Sequence, residues 1–164
     1  RIMAKVVLIG ATGFVGSAIL NELVERGHEV TAVVRNVEKL PKNALVKPVK
    51  EDVGNEDAIA KLLEGKDAVI SAYNPGWTNP NITQETIVNY RHILAAAKKS
   101  GIGRLLIVGG AGTLFCAPGV RILETGVLPN EIMNGVVALG LCISQHAKQR
   151  ERTRLGFLLS SGNV

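Results

Sequence analysis

Residues 9 to 16 read Ile9-Gly10-Ala11-Thr12-Gly13-Phe14-Val15-Gly16 (IGATGFVG) and follow directly on the apolar run Lys5-Val6-Val7-Leu8. A short, β-branched apolar run closed by a glycine predicts a strand buried on both faces, here Lys5 to Ile9. Beyond Gly10 the period changes. Phe14, Ile19 and Leu23, with Val15 and Ala18, recur near helical spacing, and the helix is expected to run to about Arg26, where Gly27 suits a left-handed cap. Val30 to Val34 is again strand-like. Residues 5 to 34 therefore read as one βαβ unit with three glycines, spaced by three, at its first turn.

The alternation continues outward from that unit. Asn36 to Leu40 predicts a short helical turn, Val46 to Val49 a third strand, Asn55 to Leu63 a helix stopped near Gly65, and Ala68 to Ser71 a fourth strand. The segment Tyr73 to Asn81 holds two prolines and is expected to be a loop. Thr83 is the expected cap of a long helix from Gln84 to about Lys99, and Leu105 to Val108 the fifth strand. Regular strand–helix alternation predicts an α/β fold: a doubly wound parallel sheet in three α/β/α layers.

After the fifth strand the signals weaken. Gly109 to Thr113 reads as a flexible turn, 114 to 128 as an irregular excursion, and Pro129 as the first turn of a helix reaching the 140s. Residues 143 to 156 fit no period, while Phe157 to Leu159 suggest a sixth strand. At 164 residues the chain is expected to form a single domain, 1 to 164.

A hydrophobic fraction of 46% with 18 glycines and few aromatics fits an aliphatic α/β core and argues against a disordered chain. The net charge of +5 is not gathered into one block. Its densest run, Lys148 to Arg154, contains an acid and no aromatic platform, so it reads as a solvated helix end and not as a nucleic-acid groove. No long apolar span or signal peptide is evident, and Cys116 and Cys142 lack metal-ligand spacing. No nucleic acid, membrane or metal partner is expected, and a cytoplasmic setting is the simplest reading. Both cysteines read as ordinary loop or core residues.

The glycine turn has a physical interpretation. Gly10 permits a tight turn, Gly13 lets a pyrophosphate approach backbone N–H groups, and Gly16 lets helix and strand pack closely. The start of the helix adds partial positive charge. At the end of strand two, where an acidic residue would hold the ribose hydroxyls of NAD, stands Arg35, with no Asp or Glu before Glu38. An arginine suits a 2′-phosphate, so NADP(H) is expected over NAD(H) as the cofactor. Asp52 and Val53 would fall beside the adenine, Ser71 and Ala72 would pass the pyrophosphate and ribose, and Gly109 and Gly110 would approach the nicotinamide half. The expected cofactor-binding set is thus Gly10, Thr12, Gly13, Phe14, Val15, Gly16, Arg35, Asp52, Val53, Ser71, Ala72, Tyr73, Gly109 and Gly110.

Three segments, AKVVLIGATGFVGSAILNELVERGHEVTAVVRNVEKL (4 to 40), DAVISAYNPG (67 to 76) and RLLIVGGAGTLFCAPGVRILETGVLP (104 to 129), resemble the atypical short-chain dehydrogenases. The resemblance is strongest to the NADH-flavin reductase-like group, related to NmrA-like and biliverdin-reductase-B-like proteins, and covers about residues 4 to 137. It implies a Rossmann domain that binds NAD(P)H through Gly10, Gly13, Gly16 and Arg35, and reduction of a flavin (FMN or FAD) or quinone. Two departures stand out. The Tyr-x-x-x-Lys pair of typical short-chain dehydrogenases is missing, since Tyr73 is followed four residues on by Trp77 and Tyr90 by Leu94. Family members also continue past the sixth strand into a small substrate-side region, which here is expected to be reduced or incomplete.

Hydride transfer to a flavin needs mainly stacked rings and exclusion of water, whereas a carbonyl substrate would need an acid. His28, at the far end of helix one, and His92 and His146, in helical stretches, read as packed or surface residues, so no catalytic residue is assigned. Near the nicotinamide side stand Ser71, Tyr73, Trp77, Gly110 and Thr113. Tyr73 and Trp77 could stack on an isoalloxazine ring or serve as lids or packing anchors. The leading expectation is an NADPH-dependent reductase of a flat small-molecule acceptor. The alternative is a non-catalytic NADP(H) sensor of the NmrA-like kind, and a sugar-nucleotide epimerase or dehydratase comes third. The face of Gln84 to Lys99 would suit a homodimer unless it covers its own sheet.

Overall fold

The computed structural model of the protein describes residues 2–148 and 156–160. Six parallel strands form the central sheet: β1 (Lys5–Ile9), β2 (Glu29–Val34), β3 (Val46–Lys50), β4 (Ala68–Ser71), β5 (Leu105–Gly110) and β8 (Gly156–Ser160), in the order β3-β2-β1-β4-β5-β8. Two further short strands, β6 (Phe115–Ala117) and β7 (Val120–Arg121), pair as a separate antiparallel hairpin. The helices are α1 (Phe14–Glu25), α2 (Glu56–Leu63), α3 (Ile82–Ser100) and α4 (Asn130–Lys148). This is the three-layer doubly wound arrangement that the alternation predicts.

The strands are apolar almost throughout because both faces are covered. Along β1, Val7 and Ile9 join a core with Ile59, Leu63, Tyr90, Ile93 and Ala96 from α2 and α3. Leu8, between them, joins Val30, Ala32 and Val34 of β2 in a second core under Leu20 of α1. Side chains that alternate in direction are thus both buried. Polar relief comes at the helix ends: Asn55 accepts from the Ala58 N–H at the start of α2, and Gly27 and Gly101 follow α1 and α3 with φ of +79° and +70°.

The register sets where the chain leaves the sheet. Ile9 lies opposite both Val33 and Ser71, Val34 opposite Lys50, and Ser71 opposite Ile107. The segments after β1, β2, β3, β4 and β5 therefore emerge along one edge. Between β1 and β4 the order of connection reverses, and such a point opens a crevice at the carboxyl ends of the strands.

Several expectations need correction. Thr83 does not cap α3. Asn81 occupies that position without a side-chain cap bond, and the Thr83 hydroxyl donates instead to the Asn134 carbonyl of α4 at 3.3 Å. The segment after the fifth strand is regular where flexibility was expected: β5 extends to Gly110, a 3-10 turn spans Ala111–Thr113, and the β6–β7 hairpin lies within the supposed irregular excursion. α4 continues through 143 to 148, where the sequence has no clear period, and Pro129 precedes it by one residue. Phe14 does not join the apolar face of α1; the residue is 95% exposed. Most of the basic run 148 to 154 lies outside the described residues, and His146 sits in α4.

Candidate functional site

The crevice holds a cavity of about 340 Å³. Its walls come from four places in the chain: Ile9, Gly10, Thr12 and Gly13 at the end of β1; Val33 to Arg35 with Lys39 at the end of β2; Glu51 to Val53 after β3; and Ala72 to Asn74 after β4, with Glu85 and Asn89 of α3. Of the residues expected from sequence, Gly10, Thr12, Gly13, Arg35, Asp52, Val53, Ala72 and Tyr73 meet here. Phe14, Val15, Gly16, Ser71, Gly109 and Gly110 do not line the cavity. Ser71 is fully buried.

The three glycines have different reasons to be glycine. Gly10 takes φ +80°, and a Cβ there would lie 2.7 Å from the Ala72 carbonyl oxygen, so the close approach of β1 and β4 requires it. A Cβ on Gly16 would stand 2.0 Å from the Gly10 oxygen, so α1 could not seat on β1. Gly13 is under no such demand. Its φ of −75° suits any residue, and a Cβ would make only an ordinary 3.5 Å contact with the Gly10 oxygen. It leaves the space before α1 open. Without a side chain at the N-cap and without an acidic residue in its first turn, α1 presents backbone N–H groups and the positive end of its dipole to that space.

Beyond the glycine turn, Arg35 directly follows β2, and the 3-10 turn Val37–Lys39, capped by the Asn36 side chain at 3.0 Å from the Glu38 N–H, carries Lys39 to the same cavity. Across from them, Glu51 is engaged by its own loop, accepting from the Asp52 N–H at 3.0 Å and from Asn55 Nδ2 at 3.3 Å. One oxygen of Asp52 accepts from the Gly54 N–H at 2.7 Å.

Tyr73 is fixed from three directions. Its hydroxyl accepts from Asn89 Nδ2 at 2.6 Å, its carbonyl accepts from the Tyr90 hydroxyl at 3.1 Å, and its ring meets Tyr90 edge-on at 5.9 Å. Burial raises the Tyr73 hydroxyl above its ordinary range, against the lowering effect of the Asn89 hydrogen bond, so the phenol keeps its proton at neutral pH. Trp77 is absent from the cavity lining. His28 Nδ1 accepts from the Ala4 N–H at 3.0 Å and His92 faces Glu56 at 3.4 Å, and neither lines the cavity. Cys116 is exposed on the hairpin, while Cys142 packs against the core, where burial raises its thiol.

Sequence reasoning missed Lys39, Asn74, Glu85 and Asn89. Lys39 had a usable signal, a second cation one short turn beyond Arg35. Asn89 had none, because a polar residue inside a long helix reads as surface.

A cradle of this form is that of a dinucleotide cofactor, and the model of the NAD(P)H-binding family matches residues 10–135. The chain belongs to that family. Among curated relatives, YwnB of Bacillus subtilis, whose activity is uncharacterized, is 35% identical over 133 residues, which are 79% of this chain and 59% of YwnB. The chain thus spans less than two thirds of that relative. Among solved structures, a Bacteroides thetaiotaomicron protein provisionally assigned as an epimerase superposes with a TM-score of 0.87 at 45% identity, covering 96% of this chain and 71% of that one. A Streptococcus pneumoniae protein provisionally assigned as an NADH-flavin reductase gives 0.76 at 29%, covering 95% and 71%. This NAD(P)H-binding chain is similar in fold and sequence to oxidoreductase and epimerase-like proteins. Among the described residues no helix is long and apolar enough to cross a membrane.

Proposed function

We propose that the protein is an NADPH-dependent reductase that passes hydride to a flat small-molecule acceptor, a flavin or a quinone. The observation that carries the cofactor preference is the placement of Arg35 and Lys39 together on the cavity wall after β2, with Glu51 tied to its own loop. Two cations suit the doubly charged 2′-phosphate, and an arginine can grip it in a bidentate manner. Asp52, with one oxygen committed to Gly54, keeps the other for the adenine amine.

The bound nicotinamide would supply the hydride; the chain's part is to hold the pyrophosphate on α1, orient the ring over the β4 and β5 ends, and keep water away. The acceptor class follows from what is missing. Tyr73 has no lysine partner in the Tyr-x-x-x-Lys pattern, and burial raises its hydroxyl above the ordinary tyrosine range, which makes it a weaker acid. A flavin or quinone accepts hydride without a dedicated acid, its remaining proton coming from solvent, whereas a carbonyl needs a donor. The S. pneumoniae neighbour assigned as an NADH-flavin reductase supports this class.

The same missing pair favours a second reading, a non-catalytic NADP(H) sensor. Following nicotinamide absorbance while NADPH is mixed with protein and FMN, and separately with a naphthoquinone, decides between them. Acceptor-dependent NADPH oxidation is the expected result. Tight NADPH binding without oxidation by any acceptor would overturn the reductase reading in favour of the sensor.

A further inference from the structure

Trp77 is the chain's single tryptophan and is 51% exposed, in the loop between cavity-lining Asn74 and Glu85. Its seat is specific. Gly135 lies inside α4, where glycine is about 1 kcal/mol less favourable than alanine. A Cβ at Gly135 would stand 2.8 Å from Cζ3 and 3.3 Å from Cε3 of Trp77, and 2.8 Å from Cδ1 of Ile82. The helix forgoes a side chain so that one edge of the indole can rest on its backbone.

The loop that delivers Trp77 is held as well. Gly76 takes φ +112° and its N–H donates to Asn74 Oδ1 at 2.7 Å. The Asn79 N–H donates to the Gly76 carbonyl at 3.1 Å, and Asn79 Nδ2 donates to Glu85 Oε2 at 3.0 Å. Trp77 is nonetheless half-exposed, so part of the indole is presented outward on a well-held mount.

The position of that face follows from α4. Trp77 rests on Gly135, and along the same helix Val136 lies against Gly112, Leu139 beside Gly110, and Gly140 beneath Thr113. The indole therefore rests on α4 one residue before the side chain that meets the turn after β5, toward the end of the crevice that the fold reserves for the reacting half of a dinucleotide. Arg35, Lys39 and Asp52 come from β2 and β3, on the opposite side of β1 in the sheet.

We propose that the exposed face of Trp77 is the platform on which the flat, electron-poor second substrate stacks, which makes it a determinant of acceptor specificity. This rests on the reductase reading of the same crevice. Stacking on an indole prefers offset planar partners and discriminates against saturated acceptors.

Because Trp77 is the only tryptophan, its fluorescence reports the platform without any turnover. The probe is FMN, titrated in the presence of NADP+ so that no hydride moves. Saturable quenching is expected, and a strictly linear response equal to that of free N-acetyltryptophanamide would overturn the proposal. In turnover, Trp77→Ala should raise the KM for FMN about tenfold, with kcat and NADPH affinity nearly unchanged, while Trp77→Phe should recover most of the loss. Gly135→Ala, which keeps the indole but displaces it, should raise the same KM. An unchanged KM in Trp77→Ala, with wild-type NADPH oxidation intact, refutes the platform and leaves the reductase reading standing. If the wild type oxidises no NADPH, the reductase reading fails, and saturable FMN quenching still supports the platform while its absence overturns it.

Discussion

Replacing Gly13 with alanine should leave the fold intact and weaken cofactor binding, whereas the same change at Gly16 should unfold the domain first. The two positions lie three residues apart on the same turn, and their difference comes from the Cβ environment. At Gly16 the new atom would sit 2.0 Å from the Gly10 oxygen. Ordinary contact requires α1 to retreat from β1 by more than about 1 Å, and overpacking of this kind costs about 3 kcal/mol or more. At Gly13 the nearest atom is 3.5 Å away and φ is −75°. Loss of a favourable N-cap costs about 0.5–1 kcal/mol, and the stiffer unfolded chain returns about 0.4–1 kcal/mol, so stability should change by less than about 1 kcal/mol. Binding should respond differently. A Cβ projecting into the open space would deny a pyrophosphate its approach to the N–H groups of α1, and losing one charge-assisted hydrogen bond, about 1.5–3 kcal/mol, lowers affinity about 10–100-fold. Thermal melts beside NADPH titrations of both variants supply the measurement. Wild-type NADPH affinity in Gly13→Ala, or melting as early as Gly16→Ala, would contradict these separate roles for the two glycines.

Arg35→Ala should weaken NADPH binding about 10–100-fold and NADH binding less than about threefold, with Lys39→Ala in the same direction by a smaller factor, as read by calorimetric titration. Tyr90→Phe removes the buried donor to the Tyr73 carbonyl and should cost about 1–3 kcal/mol in denaturant unfolding while the β4 loop loses one of its holds. The same tyrosine sets an alkaline limit. Burial raises the Tyr90 hydroxyl above its ordinary value of 10.0, so the native state retains a proton that the unfolded state releases. Its contribution is fully present below pH 10 and declines as pH rises beyond it, and in Tyr90→Phe the stability curve above pH 10 should be flatter.

The parts of this fold that were legible in the sequence are those where one pattern had one physical solution. An apolar run, a glycine turn and a helical period ending at Gly27 leave little choice but β1-α1-β2, and Arg35 stands where the end of β2 meets the crevice. The missed parts lack such a signal. The β6–β7 strands are three and two residues long and mostly exposed, so no alternation marks them. Thr83 looked like a cap because the residue type suits one, yet its hydroxyl is claimed by a carbonyl of α4, fifty-one residues away. Asn89 and Glu85 reach the cavity only because α3 returns along the end of β4. The separate fates of Tyr73 and Trp77, equal candidates for stacking in sequence, were decided by partners on α3 and α4.

The most direct measurement is a calorimetric titration of the purified protein with NADPH and, in parallel, with NADH. NADPH should bind at least about tenfold more tightly, the advantage of a 2′-phosphate held by Arg35 and Lys39. Equal affinity for the two cofactors would contradict the role given to those cations, and binding of neither would contradict the reading of the glycine turn itself.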